Sequence, residues 1–295
     1  MRFAEKASGW LIAVGLAIAV LLAFNYLDVF VIYSFREAGF DSQVYRGTIS
    51  ATAALLNIIA FGFFFYVCKR IKRPILELKK ISFVDVGLVI ILAIGMLGFV
   101  QTFIYVSDRI SDYIKSLSEQ MTEYRQSVDR YNVVKQQEVP FWDSIIYLIS
   151  VCFIVPLEEE LVFRGAIFGI LKQKMRPVAA MLITAAFFGI MHRVSIHTAY
   201  ALVCGLILTA VYYYTENIFA GVLIHSVFNI LGSGLGDLLK LEQLGIDPDV
   251  RSEILSWVIV VCIMMMVPSG IAFLILRHNS VKRRKSVKES VAVSE

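Results

Sequence analysis

Three short polar constellations interrupt an otherwise apolar sequence, and their residue types are those of acid–base chemistry. The first lies in the run Val155–Gly165, where Glu158, Glu159 and Glu160 precede Arg164. Glu160 and Arg164 stand four residues apart, acid before base, so on a helix they share a face and can neutralise each other. Glu159 points about 100° away and has no base three or four positions on. A carboxylate left outside a buried ion pair is available as a general base. The second constellation is Phe188-x-x-x-His192 and the third is His225-x-x-x-Asn229, each pair on one helical face. Taken singly, each has a plain structural reading. A Glu–Arg pair is a clamp, the role assigned to Glu160 and Arg164; a lone histidine is a satisfied core group. His197, at an expected helix start, is read as structural or interfacial, and Glu158 as a third acid beside a kink at Pro156, which cannot donate to the carbonyl of Cys152.

The elements that must position these groups are membrane helices. The chain is 58% hydrophobic with mean hydropathy +0.72, above the ~45–50% of soluble domains. Apolar runs of about 20 residues, the length that spans ~30 Å of hydrocarbon, fall at 8–32, 44–68, 83–106, 141–171, 176–192, 197–215, 217–236 and 254–277. The sequence thus predicts an all-α, polytopic bundle of about eight transmembrane helices, the first retained rather than cleaved. Trp10, Trp142 and Trp257 sit near run ends, where interfacial Trp collects. Cys68, Cys152, Cys204 and Cys262 each lie inside a run and read as small buried side chains. Basic residues concentrate in three places: Lys69 to Lys80, Lys172 to Arg176, and Arg277 to Lys288. All three fall on one side of an eight-span chain, which by the positive-inside rule makes both termini cytoplasmic. The loop 237–253 carries five acids against two bases and belongs opposite. Counted from the basic side, Glu159 lies 13 residues from Lys172, His192 lies 16 from Arg176, and His225 and Asn229 lie 9 and 13 from Glu216. At ~1.5 Å per residue these depths are roughly 13–24 Å, close to one level. Ionisable groups at that depth are functional candidates by default.

One segment is too polar for lipid. Residues 107–138 hold five bases and six acids, yet Ile110, Ile114, Leu117, Met121, Tyr124, Val128 and Tyr131 follow an a/d rhythm. This predicts an extracytoplasmic amphipathic helix, either packed back on the body or serving as a homodimer or substrate-docking stalk. The organisation that follows is three N-terminal helices (1–106), the amphipathic segment (107–138), a catalytic membrane core (139–236), and a loop, last helix and basic cytoplasmic tail (237–295).

Glu159-Glu160-x-x-x-Arg164, Phe188-x-x-x-His192 and His225-x-x-x-Asn229, in this order on successive helices, resemble the three motifs of the CPBP family. These are the CAAX-prenyl-protease-2-like and bacteriocin-processing membrane endopeptidases, also called Abi proteins. The resemblance spans roughly residues 140–236; the extra Glu158 departs from the pattern. It implies an intramembrane protease of the cell membrane in which Glu159 and His192 activate water and His225 and Asn229 stabilise the tetrahedral oxyanion. Glu160, Arg164 and Phe188 would then be support. Relatives are often described as metalloproteases, and Glu159, His192 and His225 could fill three zinc positions with a fourth left for water. Against that, there is no H-E-x-x-H, and Asn229 suits a hydrogen-bond donor, so direct glutamate–water catalysis is the first expectation and a divalent metal such as zinc the second. The expected partner is a membrane-associated or lipidated protein or peptide, in the bilayer, with no nucleic acid or nucleotide motif present. The rival readings are a non-catalytic scaffold or bacteriocin immunity protein, and an ion or proton-coupled transporter.

Overall fold

The structure is a computed structural model, which describes residues 2–134, 139–192 and 195–294. Its helices are α1 (Arg2–Glu37), α2 (Arg46–Arg70), α3 (Phe83–Ser111), α4 (Lys115–Val134), α5 (residues 141–171), α6 (Pro177–Met191), α7 (Ser195–Thr215), α8 (Ile218–Leu239), α9 (Pro248–Met264) and α10 (Met266–Ser294). The final two are bent by 48° at a single intervening residue. Seven of the apolar runs each fall on one helix, and the last falls on the bent pair α9–α10. By length and composition α1, α2, α3, α7 and α8 are long and apolar enough to cross a membrane, and the bent pair α9–α10 makes up to six. The expected count of eight spans is therefore met for five or six, and α5 and α6 stand outside it. α5 holds Glu158, Glu159, Glu160 and Arg164. α6 has 15 residues, about 22 Å at the helical rise, short of the ~30 Å hydrocarbon.

Helix starts follow local chemistry. Ser82 accepts from Asp85 N, Asn217 from Phe219 N, and Asp247 from Asp249 N, while Pro177 and Pro248 occupy first-turn positions where no N–H is needed. α2 is capped from another helix: Asp143 of α5 accepts from Gly47 N (2.7 Å), Thr48 N (2.8 Å) and Thr48 Oγ1 (2.6 Å). A Cβ on Gly47 would stand 2.1 Å from the Asp143 carbonyl oxygen, so this crossing requires glycine.

The basic segments meet at one end of the bundle. Leu78 pairs with Asn217 in an antiparallel bridge, Lys172 binds Glu77, and Lys79 binds Glu216 at 2.6 Å. Arg283 reaches the buried Asp85 (2.6 Å) and the Tyr214 carbonyl, and Arg284 the Tyr213 carbonyl. The tail is therefore docked by named contacts as well as carrying charge. Below the polar site, toward this end, Phe163, Ile167, Phe168 and Leu171 of α5 pack with Tyr212 and Ile218 into the main apolar core.

The amphipathic segment is not one helix over 107–138. α3 continues to Ser111, residues 112–114 turn (Tyr113 N to Ile110 O, Ile114 N to Ser111 O), and α4 begins at Lys115. Ile110 and Ile114 thus leave the expected stripe and are exposed, while Met121 is 2% exposed and Tyr124 half-buried. α4 folds back against α3 and α7; the side chains of Val128 and Tyr131 lie outside the described residues.

Candidate active site

α5 changes its winding where it carries the acids. Phe141–Ile149 is α-helical, Ser150–Ile154 π, Val155–Glu160 α, Leu161–Phe168 π and Gly169–Leu171 α, with αR dihedrals at every junction. Where a kink is expected beside Pro156 the helix widens into a π turn, and Pro156 stands in the first turn of the α segment that follows. Such π segments concentrate at functional sites, and here they set which side the three glutamates face.

Glu160 and Arg164 form the expected pair, Nη1 to Oε1 2.7 Å, both side chains fully buried. Arg164 also donates to the Gly205 carbonyl and lies 4.6 Å over the Phe188 ring. Glu160 does more than neutralise a base. The same oxygen faces Nδ1 of His225 at 3.2 Å, while Nε2 of His225 faces Glu159 Oε2 at 3.7 Å. With its charge already engaged by Arg164, Glu160 acts as acceptor, which places the histidine proton on Nδ1 and leaves the Nε2 lone pair toward Glu159. A 3.7 Å separation is too long for a direct hydrogen bond and is a span that one water closes. Gly221 sits against this pair: a Cβ there would meet Glu160 Oε2 at 2.4 Å.

His192 ends α6, its Nδ1 2.9 Å from the Phe188 carbonyl, so its Nε2 is also left open. The Phe188 ring joins the two histidines, with centroid distances of 4.8 Å to His192 and 6.1 Å to His225. Asn229 donates one amide hydrogen to the Val151 carbonyl at 2.9 Å and retains the other. His192, His225, Asn229 and Phe188 line one cavity of about 560 Å³. His197, read as structural, lines it too, its ring 5.2 Å from both Tyr124 of α4 and Tyr200.

A neighbouring cluster was not anticipated. Asn57 of α2 donates to Glu158 at 2.7 Å and to Asp28 of α1 at 2.9 Å, so Glu158 faces the N-terminal helices rather than the cavity histidines. The signal was present in the sequence: Asp28 is an acid inside an apolar run, and intramembrane acids seek partners. As for metal, Glu159 and His225 approach each other, but among the described residues no three His, Cys, Asp or Glu side chains are grouped to hold an ion.

A bundle of apolar helices enclosing paired carboxylates and histidines defines a membrane protein with a buried polar site. Residues 141–231, which contain all three motifs, match the Rce1-like family of type II CAAX prenyl endopeptidases, a CPBP family. The match covers less than half of the chain. Neither the curated proteins nor the solved structures compared with it gave a match. The family likeness supports enzyme status as a protease.

Proposed function

We propose that the chain hydrolyses a peptide bond within the membrane, with Glu159 as general base on a water held between its Oε2 and Nε2 of His225. The observation that carries this is the arrangement of His225 between two carboxylates: one buried with Arg164 and fixing the ring, the other partly exposed and free to take a proton. His225 is thereby oriented as a catalytic imidazole is oriented by a buried acid. His192, its Nε2 directed by the bond to Phe188, is the second proton acceptor. The spare amide hydrogen of Asn229 is the donor for the oxyanion, a role that gains strength where water is excluded. The water proton passes to Glu159, the hydroxide adds to the scissile carbonyl, and the proton then goes to the leaving amine as the C–N bond breaks. No step runs through a metal. Glu160, Arg164 and Phe188 hold the frame.

The test compares membranes carrying the wild type with membranes carrying Glu159→Gln. Peptide fragments present with the first and missing with the second identify substrate and cleavage site; identical fragment sets would end the reading. A scaffold or immunity protein would tolerate both Glu159→Ala and His192→Ala. The acids Asp28, Glu158 and Glu159 across two helices give a proton relay its best support; that reading requires substrate flux without a cleaved product.

A further inference from the structure

A second cavity, of about 700 Å³, lies between α1, α2 and the end of α5. None of Glu159, His192, His225 and Asn229 lines it. Its long walls are apolar. On α1 they include Gly9, Ala13, Leu16, Val20, Ala23 and Leu27, whose alternating spacings of four and three keep them on one helical face. On α2 they are Ala60, Phe61, Phe64 and Cys68. From Gly9 to Leu27 the face runs about 27 Å at the helical rise. That exceeds half the ~30 Å depth of hydrocarbon, so the fatty chain of one leaflet fits lengthwise. Ile12 and Leu16 along its rim are 63% and 52% exposed, and the groove is open to the side. Its two ends differ in chemistry. Arg73, Gln173 and Lys174 stand at the end of the bundle where the basic segments meet, and no Asp or Glu is in the wall. The acids nearby are engaged elsewhere: Glu77 by Lys172, Glu216 by Lys79 and Arg284, Asp85 by Arg283. Among the described residues neither Arg73 nor Lys174 has a side-chain hydrogen bond or ion pair.

We infer that this groove binds one anionic diacyl phospholipid, its phosphate between Arg73 and Lys174 and a fatty chain along α1 toward Leu27. The match is to both parts of the molecule. A free anion would use the mouth alone, and an apolar peptide the shaft alone. A zwitterionic lipid would bring its own cation up to two bases that have no acid to offset it, so the net charge of the headgroup sets the preference. The far end stops at Leu27, one residue short of Asp28, which Asn57 bridges to Glu158. The lipid thus lies beside the polar site and does not enter it. Arg73 follows α2 and Lys174 follows α5, while the fatty chain lies on α1, so one bound lipid ties the first helix to the helix that carries the acids. None of this depends on the proposed hydrolysis.

The test needs no cleavage assay. The full chain, purified in a neutral detergent, is titrated with dioleoylphosphatidylglycerol or dioleoylphosphatidylcholine, and lipid retention is read by native mass spectrometry beside thermal unfolding. Three variants accompany the wild type. Arg73→Gln with Lys174→Gln removes the charged mouth. Ala19→Trp fills the shaft from an exposed position and leaves the mouth intact. Lys282→Gln with Lys285→Gln removes two bases from the tail and serves as the control. The wild type and the tail variant should retain one phosphatidylglycerol and gain more thermal stability from it than from phosphatidylcholine. Loss of the mouth should weaken phosphatidylglycerol binding by about 10–30-fold, the effect of two bases at an anionic headgroup, and leave phosphatidylcholine unchanged. Ala19→Trp should lower retention of phosphatidylglycerol with both bases in place. Equal gains from the two lipids overturn the inference, as does a mouth variant that binds like the wild type or a tail variant that loses as much. Displacement of bound phosphatidylglycerol by a prenylated peptide would give the groove to that peptide and overturn it as well.

Discussion

At the scale of single residues, the decisive feature is that one oxygen of Glu160 serves both Arg164 and His225. Glu159→Gln removes the proposed base yet keeps shape and hydrogen bonding, so cleavage should fall by roughly 10²–10⁴-fold with little change in melting temperature. Thermal unfolding in detergent beside a cleavage assay checks both. Arg164→Ala should behave in the opposite way. It strands a fully buried carboxylate, a change that typically costs about 3–5 kcal/mol, and should reduce the yield of folded protein before any question of rate arises. Gly221→Ala should mimic it by driving a methyl into Glu160, read as lost thermal stability. The sequence made Glu160–Arg164 legible because the spacing of four is a local property. It could not show that His225, 65 residues away, turns its ring between two adjacent glutamates. It equally left Glu158 ambiguous, since Asn57 and Asp28 approach it from other helices.

At the scale of elements, α5 is held at both ends. Asp143 caps the start of α2 through three hydrogen bonds, and Asp143→Ala should destabilise the protein by about 2–3 kcal/mol, within the range for bonds to charged groups. The motif helix would remain chemically complete, so a variant kept below its melting temperature should retain cleavage. The helices that carry the apolar runs were legible because hydrophobic length marks each one, while only five or six of them are long and apolar enough to cross a membrane. What was not legible was winding. A π turn is a one-residue change in register, and it leaves no trace in hydropathy; the sequence showed Pro156 and suggested a kink, while the chain absorbs the proline by widening the turn ahead of it. The heptad rhythm through Ile110 and Ile114 misled for a related reason. Periodicity continues across a break in the backbone, and only the turn at 112–114 shows that two helices share the pattern.

At the scale of the whole molecule, the basic segments gather at one end and the tail is pinned there. Arg283→Ala should leave Asp85, itself 1% exposed, with Asn279 as its remaining partner, and should release the tail helix. Limited proteolysis in detergent should then cut the tail faster than in the wild type. By itself the sequence determined the helical class, the membrane setting, the order of the helices and the identity of the polar residues, because hydrophobic length and i,i+4 spacing act along the chain. Only the tertiary structure decided which carboxylate holds which imidazole and that α4 folds back beside the cavity. Those outcomes depend on side chains from distant segments competing for the same few cubic ångströms, and no pattern within one segment records the result.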